Sequence, residues 1–99
     1  MMSPIPEYLA STVDMLLGAY PDGIPKSEYF AVLYVLSIKG EMSNRSVAKA
    51  IGCMNGESYT LFHYDVAHDL PNRTIDSNLI DSVIEKLNEH GYADWLKEE

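Results

Sequence analysis

Two prolines and a glycine fall within six residues at Tyr20-Pro21-Asp22-Gly23-Ile24-Pro25, and no helix continues through such a stretch. Apolar residues approach it from both sides with a 3.6-residue period. The chain must therefore build separate helices on either side of a stiff corner. The stretch reads as a rigid elbow that sets the angle between the first two helices. It holds no reactive group, so its role is structural.

Upstream, Ser3 is placed to cap a helix with Pro4 at its first position, where the missing N–H costs nothing. Ile5, Tyr8, Leu9, Val13, Leu16, Leu17 and Tyr20 form one apolar stripe across 4–19. No Lys or Arg precedes Lys26. The first helix therefore lacks the basic face of a membrane-surface helix and the basic start of a secretory leader. Downstream, Pro25 opens a helix over 25–38 with Glu28 in its first turn. Tyr29, Phe30, Val32, Leu33, Tyr34, Val35, Leu36 and Ile38 leave it almost no polar face, which marks the central helix. Its β-branched residues also suit a strand, but the run is too long for one. Lys39-Gly40 supplies the stop.

Ser43 can cap a short helix over 43–51, closed by Gly52, with Cys53 to Glu57 as a loop. The segment 58–69 is ambiguous. Tyr59, Phe62, Val66 and Leu70 fit a helical stripe, while Thr60 to Val66 also reads as a strand; helix is the reading adopted, ending before Pro71. Asp76 can cap the last helix, 76–90, with Ile75 and Ile80 as a hydrophobic staple. Leu79, Ile80, Val83, Ile84 and Leu87 are its buried stripe. His90-Gly91 ends it, Tyr92 is positioned to fold back on Leu87, and Trp95 and Leu96 lie in a tail that packs onto the bundle.

The 99 residues suit one domain, 1–99, with a core that needs no disulfide; the lone Cys53 could form none internally. No apolar run reaches the roughly 18 residues of a membrane span. A cytoplasmic protein is expected, with the sequons at Asn44 and Asn72 unmodified. Fifteen acidic residues against seven basic ones give a charge of −8. Such a field repels phosphate backbones and anionic lipid, favours a basic partner, and also keeps a protein in solution.

Few residues invite chemistry. His63, Asp65, His68 and Asp69 suggest a metal, but histidines five apart on an α-helix diverge by about 140°, and Asp65 with His68 would supply only two ligands. Cys53 has no local base to activate it. Gly18, Gly23 and Gly40 form no phosphate-cradling loop. No catalytic residue, cofactor or metal site is expected.

Two features are sharper. Ser43 to Gly52, followed by a loop and an aromatic helix, is similar to the first half of a helix-turn-helix. A DNA reader then needs Arg, Lys, Asn or Gln on the second helix, yet Ser58 to Asp69 has no Lys or Arg. Arg45 and Lys49 are the basic residues of 41–70. The other feature is an acidic ridge. Asp81, Glu85 and Glu89 recur every four residues, and Asp65 and Asp69 repeat the spacing. Such pairs cost a few tenths of a kcal/mol each, which Lys86 only partly relieves.

Leu9-Ala10-Ser11, Val13-Asp14, Tyr20-Pro21-Asp22-Gly23-Ile24-Pro25 and Tyr29 together resemble an uncharacterised family of small all-helical proteins from mycobacteria and related actinobacteria. The Leu87…Gly91-Tyr92 ending is similar to that family's Leu…Gly-Trp close, with Tyr92 in place of Trp. The resemblance implies a single helical bundle and transfers no active site. The expectation is thus an all-α fold, a single compact orthogonal bundle of about five helices with a helix-turn-helix-like middle. Its expected function is a non-enzymatic protein-interaction module, such as an inhibitor or mimic, offering Asp81, Glu85, Glu89, Asp65 and Asp69 to a partner with a basic, nucleic-acid-binding surface. The alternative is a helix-turn-helix nucleic-acid binder using 43–70.

Overall fold

Helix α1 spans Glu7–Ala19 in the computed structural model, which describes residues 6–97. The start expected at Ser3 and Pro4 lies outside the described residues. Leu9, Thr12, Val13, Met15 and Leu16 are its buried face. Tyr8 and Leu17, expected in the stripe, are 61% and 39% exposed. The buried face is rotated from the purely apolar one because Thr12 is drawn inside by a hydrogen bond described below.

The elbow is a tight turn, with Gly23 N–H donating to Tyr20 O at 3.0 Å. Gly23 has φ +98° with open space around it, so only backbone strain bars a side chain there. Tyr20 is buried and its hydroxyl donates to Glu28 Oε1 at 3.0 Å. Lys86 Nζ donates to the same oxygen at 3.1 Å and lies 4.7 Å from the Tyr20 ring centroid. The elbow is thus pinned both to the helix that follows it and to a distant one. Beyond it α1 lies against the helices at Asn44–Asn55, Ser77–Asn88 and Tyr92–Lys97, while the helix at Lys26–Tyr34 lies against Ser77–Asn88.

Helix α2, Lys26–Tyr34, widens at its end into a π-helical turn, Val35–Lys39. Gly40 N–H closes that turn on Val35 O, five residues back, at 2.9 Å. Ala31, Val32, Leu33, Val35 and Leu36 are buried, as a central helix requires; Ile38 is exposed. Gly40 does not act as a left-handed cap. Its φ is −87°, and the positive φ falls on Glu41, at 55°. Gly40 is small for a different reason: a Cβ there would strike the Trp95 indole and Leu36 O.

Helix α3 spans Asn44–Asn55, capped by Ser43 Oγ, which accepts from Ser46 N–H at 3.1 Å. It runs past Gly52, one turn beyond its expected end, and stops at left-handed Gly56. Gly52 is buried inside the helix, where the backbone of Glu57 and Tyr59 passes too close for a Cβ. Helix α4, Thr60–Tyr64, continues as a π-helical turn, Asp65–Asp69, and a 3-10 turn, Leu70–Asn72. The strand reading of this segment is overturned. Pro71 does not stop the chain short, because it sits at the start of the 3-10 turn, where a missing N–H breaks no bond. Val66 and Leu70 are buried here.

Helix α5, Ser77–Asn88, is capped by Asp76 Oδ1, which accepts from Asn78 N–H at 3.0 Å. Ile80, Val83 and Leu87 are its buried stripe, with Ile75 packed against the same core. The tail after Gly91 is itself a helix, α6, Tyr92–Lys97. Its Trp95 donates Nε1–H to Thr12 Oγ1 at 2.7 Å, with the two residues 4% and 3% exposed. Leu16, Leu33, Leu36, Ile51, Val66, Leu87 and Trp95 belong to one cluster that draws on α1, α2, α3, α5, α6 and both π-helical turns. Each such aliphatic side chain contributes roughly 1.5–3 kcal/mol by leaving water. The all-α bundle is therefore held by a shared core, and no strand occurs among the described residues.

Candidate functional site

The same periodicity that buries Ile80, Val83 and Leu87 turns Asp81, Glu85 and Glu89 outward on α5, and all three are exposed. Glu89 occupies the C-terminal cap, where a carboxylate meets the negative end of the helix dipole. Lys86 does not temper the ridge. Its amine is turned across the bundle to Glu28, in the single salt bridge found among the described residues. The ridge thus has no salt-bridge partner among the described residues, and its spacing weakens the helix that bears it by a few tenths of a kcal/mol per pair.

The second acidic pair is placed differently. Asp65 and Asp69 are half-buried, and Asp65 Oδ2 accepts from the Tyr29 hydroxyl at 2.8 Å. Burial, then the bond to Asp65, then its charge raise the Tyr29 phenol well above its ordinary pKa. Burial acts likewise on Tyr20, followed by the bond and charge of Glu28. Asp65 therefore ties the π-helical turn after α4 to α2, which no spacing rule could have shown.

Residues His63 and His68 depart from the expected geometry. On an α-helix they diverge by about 140°, yet both line one trough between α3 and α4, with Arg45, Tyr59, Thr60 and Tyr64. The physical reason is the π-helical turn, whose i→i+5 bonding brings residues five apart towards one face. Leu70 N–H closes it on Asp65 O. No group of three or more His, Cys, Asp or Glu able to hold a metal converges among the described residues. Cys53 is half-buried against the small cluster of Leu9, Val13 and Ala50, where it packs as a small apolar side chain.

The cations of the helix-turn-helix-like region sit on α3. The guanidinium of Arg45 lies 5.5 Å from the Tyr59 ring centroid and the Lys49 amine 5.7 Å from it. Both are thus folded against the start of α4 at the Tyr59 ring. The second helix presents Thr60, Leu61 and Tyr64 to solvent. No helix among the described residues is long and apolar enough to cross a membrane. Comparison with protein-family models, curated proteins and solved structures finds no match to this chain.

Proposed function

We propose that the protein is a non-enzymatic interaction module of the cytoplasm that offers the α5 ridge of Asp81, Glu85 and Glu89 to a partner with a basic surface. One observation carries this reading: Lys86, the residue best placed to neutralise the ridge, is committed to Glu28 instead. The ridge weakens its own helix and has no salt-bridge partner among the described residues, which supports a role beyond local stability. A basic surface would supply the missing charges and be drawn in by the −8 field. Asp65 and Asp69 are half-buried secondary candidates, and Asp65 is already engaged by Tyr29. Basic surfaces of this kind are typical of nucleic-acid-binding proteins, so an inhibitor or mimic directed at one belongs to the same proposal. So does kinship with the small actinobacterial helical proteins, which supplies a bundle and no site.

The test is capture of partners from lysate by the wild-type chain and by the triple variant Asp81→Lys, Glu85→Lys, Glu89→Lys, at low and at moderate salt. Partners retained by the wild type, released by salt and lost by the variant support the reading. Retention that ignores both salt and the substitutions defeats it. The helix-turn-helix reading is less well supported, because α4 carries no Lys or Arg to reach a base edge.

A further inference from the structure

The trough between α3 and α4 has a composition unlike the rest of the surface. In a chain with fifteen acidic residues, it is lined by Arg45, Tyr59, Thr60, His63, Tyr64 and His68, without one carboxylate. Lys49 stands one turn from Arg45 with its amine over the same tyrosine. Neither cation has a salt-bridge partner among the described residues. Two unpaired cations held by one aromatic ring are partly ordered before any ligand arrives, which lowers the entropy lost on binding.

The other end of the trough offers flat aromatic surface. Tyr64 is 62% exposed, and its ring lies against His68 with centroids 4.9 Å apart and planes 33° apart. An exposed aromatic pair of this kind is a platform on which a planar ring can stack. Tyr64 and His68 are four residues apart and so share a helical face, and the segment winds into a π-helical turn, a type that recurs at functional sites. The trough is open to solvent, with a volume of about 470 Å³.

We propose that this trough binds a small aromatic phosphate of the nucleoside monophosphate class, its phosphate against Arg45 and Lys49 and its base on Tyr64 and His68. A compact dianion suits two adjacent cations. A polynucleotide does not, because each phosphate beyond the trough enters the field of a protein carrying −8. Thr60, whose hydroxyl lies 2.9 Å from Ser58 Oγ at the mouth of α4, supplies a neutral polar group for the sugar. The site is separate from the α5 ridge, so either proposal can fail alone.

The experiment is an amide NMR titration of the full chain with AMP, adenosine, inorganic phosphate and a short single-stranded oligonucleotide. AMP is expected to shift the amides of Arg45, Lys49 and Tyr59 to His68, with adenosine and phosphate each binding at least about tenfold more weakly. Arg45→Gln with Lys49→Gln is expected to weaken AMP about tenfold or more. Tyr64→Ala should weaken AMP and adenosine alike while leaving phosphate unchanged. Both sets replace surface side chains, and an unchanged thermal melt shows that the fold survives. The proposal is overturned by absence of localised shifts at about 5 mM AMP, by AMP binding indifferent to the Arg45 and Lys49 changes, or by tighter binding of the oligonucleotide than of AMP.

Discussion

Replacing Thr12 by Val tests the joint between the two ends of the described chain. Valine has nearly the shape of threonine, so packing around α1 is preserved while the acceptor for Trp95 Nε1–H disappears. That bond is 2.7 Å long between side chains that are almost wholly buried, so no water can replace the lost partner. A buried donor left unsatisfied costs about 1–3 kcal/mol, and a loss near ~2 kcal/mol lowers the melting temperature of a domain this size by roughly 10 °C. Urea unfolding followed by fluorescence measures it directly, since Trp95 is the one tryptophan. Thr12→Ser keeps the hydroxyl and should lose only the smaller contribution of a methyl group. The same Thr12→Val change made on Trp95→Phe, followed by far-UV circular dichroism, should cost at least about 1 kcal/mol less, because the donor is already gone. A Thr12→Val loss below about 0.5 kcal/mol, or equal losses in both backgrounds, would refute the reasoning.

Three further outcomes are expected. Gly40→Ala should destabilise by about 1–3 kcal/mol through overpacking against the Trp95 indole and Leu36 O, seen as a lower midpoint in a thermal melt. Glu41→Gly should do the reverse, raising stability by about 1 kcal/mol by relieving the positive φ of a residue with a Cβ. Alkaline stability should fall from about pH 10 upward, where tyrosines ionise in the unfolded chain while Tyr20, Tyr29 and Tyr92 still hold their protons in the fold. The unfolded state then binds fewer protons, so the slope of stability with pH is negative. Denaturation midpoints between pH 9 and about 11.5 measure it, and Tyr29→Phe should flatten the decline.

What was legible in the sequence follows from what local rules can see. The elbow, the Ser43 and Asp76 caps and the buried stripe of α5 depend on residues within a turn of each other, and the structure has them as expected. Thr12 was invisible because its partner lies on the last helix, and a lone hydroxyl in an apolar stripe carries no local sign of one. Gly52 was misread as a helix stop, whereas Gly40 does end its helix but without the left-handed conformation of a glycine cap. Their lack of a side chain answers to atoms packed against them from outside their own turn, the Trp95 indole at Gly40 and the backbone of Glu57 and Tyr59 at Gly52. The grouping of His63 with His68 was missed for a third reason: the 3.6-residue period was applied to a segment that winds with a wider turn. The α5 ridge could be placed from spacing alone, whereas its lack of a salt-bridge partner among the described residues depends on where Lys86 points.

The Thr12–Trp95 bond also has a temporal side. Its partners are 83 residues apart, so at ~5–20 residues per second the acceptor waits roughly 4–17 s for its donor to be synthesised. Until α6 emerges, the Thr12 side of α1 and the corner at Gly40 stay open to water, chaperones and proteases. A ribosome that stalls a few codons before Trp95 holds a chain with α1 to α5 already translated and the joint unclosed. The joint can therefore close only after α1 to α5 have all been made.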